Sequence, residues 1–91
     1  MFNNYEKFKV FFDDLLTNVD SKYAFVRLTY EKAKSELKMY IRSRDIKYYR
    51  SYFVLIGVVE DYLTMECHVY GFSGYIERFI TEEGGNTWLN Y

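Results

Sequence analysis

The chain contains no proline, and no glycine occurs before Gly57. No asparagine falls between Asn18 and Asn86. The usual turn formers are therefore missing from a long central block, which leaves few places for tight turns there. Cysteine is limited to Cys67 and histidine to His68. An internal disulfide is excluded, and so is a zinc site built from Cys and His together. One free thiol fits a reducing, cytoplasmic setting. The amino terminus, Met1-Phe-Asn-Asn-Tyr-Glu, lacks the basic segment followed by an apolar stretch that marks a secretory signal. The longest uncharged apolar stretch, Tyr52 to Val59, ends at Glu60 and Asp61. It falls far short of the ~20 residues of a membrane span, so no membrane association is expected. Gly-rich phosphate loops, Gly-x-Ser-x-Gly and His-x-x-x-His are all absent. No cofactor, no metal and no enzymatic activity are expected.

What is present is aromatic. Phe, Tyr and Trp make up 22% of the 91 residues, with eleven tyrosines among them. A chain of this length is expected to form one domain, residues 1–91, with 84–91 as a C-terminal tail. Burying only roughly 60–65% of its unfolded surface, it has to build its core from large rings. Nineteen Phe and Tyr will not all fit inside. Some tyrosines must therefore half-bury, ring inward and hydroxyl outward, or serve a binding surface.

Charge is divided along the chain. Between Lys32 and Arg50 there are seven bases and two acids; from Ser51 to Tyr91 there are one base and six acids. A net charge of −1 conceals this split, which favours docking over chemistry.

Apolar residues at Tyr5, Phe8, Phe12, Leu15 and Val19 advance by three and four, which is one face of a helix over 3–18. Asn3 and Glu6 form a variant capping box. Asp20 or Ser21 can cap a second helix, 21–43, with its stripe at Tyr23, Val26, Tyr30, Ala33, Leu37 and Tyr40. Tyr23 to Tyr30 is rich enough in Tyr, Phe, Val and Thr to compete as a strand. Asp45 can cap a third helix, 46–70, striped by Tyr49, Tyr52, Ile56, Val59, Leu63 and Tyr70. A hairpin over 47–71 is the alternative, because Tyr52 to Val59 is apolar on every side and Leu63 to Val69 alternate. Glu60-Asp61 is a poor two-residue turn, and the helix is preferred. Ser73 can cap a last helix, 73–83, with Gly84 suited to its end. The expected fold is an all-α four-helix bundle, with an α+β fold containing the central hairpin as the alternative.

Several residues invite a chemical reading. Cys67-His68 fails as a nucleophile–base pair, because neighbouring side chains point apart on a helix or a strand. Glu60, Asp61 and Glu66 could hold a cation or act as acid and base, but no Asp-x-Asp-x-Asp-Gly loop accompanies them. A solvated face is the simpler reading. The basic block carries more weight. Lys34, Lys38 and Arg42 repeat every four residues, and Arg44, Lys47 and Arg50 continue past the break among Tyr40, Tyr48, Tyr49 and Tyr52. The candidate partner-binding residues are Lys38, Arg42, Arg44, Lys47, Tyr48, Tyr49 and Arg50, together with Trp88 and Tyr91 in the tail.

The expected role is a small, non-enzymatic, intracellular protein that binds and inhibits or modulates another macromolecule. A protein partner is favoured. A nucleic acid held by segment 38–52, through phosphate neutralisation and base stacking, is the alternative. Three apolar stripes in so small a bundle also allow a homodimer. Size and composition, with a Tyr, Asn, Lys, Ile and Phe bias suited to an AT-rich genome, resemble those of small accessory proteins of phages and mobile elements. Anti-defence inhibitors are among these. The likeness covers no motif and carries no functional residue across.

Overall fold

A computed structural model describes residues 4–72 and 74–83. Asn3, Ser73, Gly84 and the tail 84–91, with Trp88 and Tyr91, lie outside the described residues. Four helices occur in order: α1 (Tyr5–Thr17), α2 (Ala24–Ser43), α3 (Ile46–Glu66) and α4 (Tyr75–Glu83). No strand occurs among the described residues. The fold is the all-α bundle, and the hairpin alternative does not form.

Short polar side chains set the helix starts. Asn4 caps α1 by accepting from the Lys7 amide at 2.9 Å. The cap found is thus Asn4, and Lys7 replaces the acid of a capping box at the third helical position. Asp20 caps a single 3-10 turn, Ser21–Tyr23, through the Lys22 amide at 3.1 Å, and that turn feeds α2. The strand-prone segment Tyr23 to Tyr30 is therefore helical from Ala24. Asp45 caps α3 through the Lys47 amide at 3.1 Å.

Two helices end on left-handed residues that are not glycine. Arg44 (φ 60°) brings its amide to the Tyr40 carbonyl at 2.7 Å. His68 (φ 54°) brings the Val69 amide back to the Leu63 carbonyl at 3.0 Å. The second turn shortens α3 relative to the expected 46–70. It rotates the chain so that Val69 and Phe72 enter the core, while Tyr70 is exposed. Gly71 (φ 73°) and Gly74 (φ 81°) then take the left-handed geometry that glycine adopts without steric cost. At the other end, α1 stops at Thr17, whose hydroxyl donates to the Asp13 carbonyl at 3.0 Å. Val19, placed on the α1 stripe by spacing, lies past this end and is 93% exposed.

The α2–α3 hairpin is antiparallel across the Arg44-Asp45 turn, and α1 and α4 pack on one of its faces. Aromatic rings join the layers. Phe12 meets Tyr30 and Phe79 edge-on at 5.4 and 5.1 Å between centroids. Phe8 stacks on Phe12 at 5.3 Å and on Phe72 at 5.7 Å. Each such pair contributes about 0.5–1.5 kcal/mol beyond the area it buries. Tyr5, Leu15, Val26, Ala33, Leu37, Tyr52, Ile56, Val59, Leu63, Ile76 and Ile80 are buried with them.

Candidate functional site

The basic segment gathers around the α2–α3 turn. Arg42 lies in the last turn of α2, Arg44 and Asp45 form the connection, and Lys47 and Arg50 lie in the first turns of α3. Arg42, Arg44, Lys47 and Arg50 are exposed, and Lys38 is half-buried. The structure thus brings one end of the helical hairpin to positive charge with a single acid, Asp45, within it. Lys47 approaches Asp45 at 3.9 Å. An exposed pair at that distance contributes little.

The helix ends treat these cations differently. The C-terminus of α2 carries partial negative charge, so Arg42 and Arg44 are stabilised there by a few tenths of a kcal/mol. The N-terminus of α3 carries partial positive charge, so Lys47 is placed against it. Helix stability therefore accounts for the arginines of α2 and not for Lys47. Met39 and Ile46, both exposed, put apolar surface beside the charge.

The tyrosines of the segment are more structural than the sequence suggests. Tyr52 is buried, and burial followed by nearby carboxylates raises its pKa. Tyr49 is half-buried between Tyr40, edge-on at 5.2 Å, and Tyr52 at 5.6 Å. The Arg44 guanidinium lies 5.9 Å from the centre of the Tyr40 ring. Tyr48 is half-buried, with the Lys47 ammonium over its ring at 5.1 Å. These rings hold the turn in shape and offer little free face. Across the chain, Tyr5, Tyr30 and Tyr52 are buried and Tyr23, Tyr40, Tyr48, Tyr49, Tyr62 and Tyr75 are half-buried. Among the described residues, Tyr70 alone is exposed. The ring-inward arrangement prevails.

The other sequence candidates do not converge. Cys67 is half-buried, and burial followed by the Glu66 carboxylate raises its thiol pKa, which is opposite to nucleophilic activation. His68 is exposed on its left-handed turn. Burial first, then Asp61, raises the Glu60 carboxyl. Glu60 and Asp61 border one shallow groove with Tyr70, whereas Glu66 borders another with Lys22 and Cys67. Among the described residues no group of three His, Cys, Asp or Glu side chains is placed to hold a metal ion. No helix among them is long and apolar enough to cross a membrane.

A second surface was not singled out from the sequence. Phe53 is 69% exposed and Val54 64% exposed on the outer side of α3, with Phe25, Leu28 and Met65 also exposed. The signal was the stretch Tyr52 to Val59, apolar on every side. A helix of that composition has an apolar face left over after its core face is covered.

Comparison with protein-family models, with characterised proteins and with solved structures finds no match to this chain.

Proposed function

We propose that this is a small, non-enzymatic, intracellular binding protein whose α2–α3 turn docks on an acidic surface of another protein and so inhibits or modulates it. The observation that supports this reading is the cationic turn itself. Arg42, Arg44, Lys47 and Arg50 surround one acid, with exposed Met39 and Ile46 beside them. Lys47 holds its place against the local helix dipole. An apolar contact ringed by cations suits a carboxylate-rimmed patch on a partner. The likeness of size and composition to phage and mobile-element accessory proteins makes inhibition the specific form of the proposal.

Single-stranded nucleic acid would need open ring faces for base stacking. Tyr49 lies between Tyr40 and Tyr52, and Tyr48 lies under Lys47, so the stacking half of that alternative is poorly served.

The test is capture of a partner from host lysate by wild-type chain and by the variants Arg42→Glu and Arg44→Gly. One protein recovered in near-equal ratio by the wild type, and at least about tenfold less by either variant, supports the proposal. Recovery unaffected by both variants, or no protein recovered, overturns it. In parallel, fluorescence anisotropy with a single-stranded oligonucleotide across salt concentration tests the alternative. Binding whose affinity falls steeply with salt would replace the protein partner with nucleic acid.

A further inference from the structure

The outer face of α3 has a pattern of its own. Arg50, Val54, Gly57 and Asp61 are spaced four, three and four residues apart and align as one stripe along the helix. At 3.6 residues per turn the stripe lies opposite the buried positions Tyr52, Ile56, Val59 and Leu63. Arg50 and Asp61 are exposed, and Phe53 and Val54 are among the most exposed large apolar side chains of the chain. Ile46 and Met65, also exposed, stand near the two ends of the stripe. A Cβ added at Gly57 would meet no heavy atom within 4 Å, so the helix backbone is open to close approach from outside.

The stripe contains its own complement. Read along the helix it is basic, apolar, small and acidic. Set against an antiparallel copy about a two-fold axis between Leu55 and Ile56, Arg50 faces Asp61 of the second copy and Val54 faces its Gly57. Every pairing occurs twice, as an isologous interface requires. A parallel arrangement would instead set Arg50 on Arg50 and Asp61 on Asp61. The absent side chain at Gly57 gives Val54 of the opposing helix a place to seat and allows axes at the near end of the usual 8–10 Å spacing.

We propose that α3 pairs with α3 of a second copy of this chain, antiparallel about that axis, to form a homodimer. Charge complementarity commits the occupant: another protein would need this same order of charge and size, and the chain itself already carries it. The stripe from Ile46 to Met65 is about 28 Å long. An interface of one helix face lies at the low end of stable contacts, so the dimer is expected to be weak and concentration-dependent. The stripe shares Arg50 and Ile46 with the docking turn, whereas Arg42 and Arg44 lie off it, so Arg42→Glu should leave dimerisation unchanged and the two readings can fail separately.

Analytical ultracentrifugation of the full chain from about 5 to about 500 µM tests it. The apparent mass should rise from 11.1 kDa towards twice that value. Higher salt should weaken the association, because two rim ion pairs are screened. Arg50→Glu and Asp61→Arg should each weaken dimerisation about tenfold or more by facing like charges. The double variant Arg50→Glu/Asp61→Arg should restore it. Gly57→Leu should weaken it while circular dichroism keeps the helical signal. A wild type that stays monomeric throughout overturns the proposal. So does a dimer indifferent to either charge reversal, or a double variant no better than the single ones. Because Arg50 and Asp61 are exposed, their substitution leaves the fold intact, and salt dependence of the wild type needs no variant.

Discussion

Along α3, neighbouring apolar side chains meet opposite environments. Tyr52, Ile56, Val59 and Leu63 are buried in the core, whereas Phe53 and Val54, each adjacent to a buried position or two residues from one, face outward. Composition does not separate the two faces; coverage does. Three other helices can enclose one side of α3, and the segment Tyr52 to Val59 carries more apolar surface than they can reach. The largest expected effect tests that difference. Phe12→Ala and Leu63→Ala should each cost about 3–5 kcal/mol, because the cavity left behind adds to the lost transfer energy. A domain this size has only about 5–14 kcal/mol to lose. Phe53→Ala should stay within about 0.5 kcal/mol when urea unfolding is followed at micromolar concentration. A loss above about 2 kcal/mol at Phe53 would mean that the outer face is packed after all.

Much of the bundle was legible from periodicity. The stripes Tyr5–Phe8–Phe12–Leu15 and Val26–Tyr30–Ala33–Leu37 are the buried faces of α1 and α2, and Asp20 and Asp45 cap where short acids before apolar runs indicate. The end of α3 was not legible. His68 in the left-handed region is unusual for a residue with a Cβ, so nothing in the pattern marks a stop there. Without that stop, Tyr70 continues the stripe; with it, Val69 takes the buried place. The basic turn was readable as a charge cluster, because charge survives any fold of a short segment. The tyrosines were not, because a ring placed between its neighbours and a ring offered to a partner look alike in sequence. Tyr49 is of the first kind. The outer stripe of α3 was hidden for a related reason: an all-round apolar stretch suits a hairpin as well as a helix with two faces.

The α1–α4 contact contrasts with the outer face in having a polar group sealed inside it. Tyr5 is buried, and its hydroxyl lies near the Glu82 carboxylate without reaching the geometry of a full hydrogen bond. The Arg78 guanidinium lies 4.0 Å from the ring centre and pairs through Nε with Glu82 at 3.1 Å. Burial first, then the Glu82 carboxylate, pushes the Tyr5 phenol from 10.0 up to about 12. A pKa raised in the folded state adds stability that is complete below the unfolded value and disappears as pH climbs through the folded one. Stability should therefore fall between pH 10 and about 12. Tyr5→Phe should remove part of that fall and leave neutral-pH stability within about 1 kcal/mol, since relief of the buried hydroxyl's desolvation offsets loss of its contact with Glu82. Urea unfolding of both proteins across that range is the measurement. Identical alkaline profiles would show that the α1–α4 contact does not hold the phenol as described.

The two helix ends without glycine sharpen a smaller contrast, between backbone and side-chain demands. At Arg44 and His68 a Cβ is carried into a conformation that costs about 1–2 kcal/mol for an ordinary residue. Glycine removes that cost and returns part of it as chain entropy. Arg44→Gly and His68→Gly should each raise stability by about 0.5–1 kcal/mol in urea titrations. At Arg44 the gain should coincide with loss of partner capture, which would separate what the turn needs to fold from what it needs to bind. A destabilised Arg44→Gly would instead assign the arginine a folding role, through its place near the Tyr40 ring.

Lys47 gives the smallest expected change and the most direct test of the cationic turn. It stands at the positive end of α3, one turn from the arginines that the negative end of α2 favours. Lys47→Glu reverses the sign at a helix N-terminus and should stabilise the fold by about 0.3–1 kcal/mol, more at low salt than at high. The same change places a carboxylate next to Asp45 in the proposed docking surface and should reduce partner capture at least about tenfold. A protein that becomes slightly more stable as it loses its partner would show that this lysine is retained for binding at a cost to folding. If stability falls instead, the Lys47 contacts with Asp45 and the Tyr48 ring outweigh the dipole, and the cation belongs to the architecture of the turn.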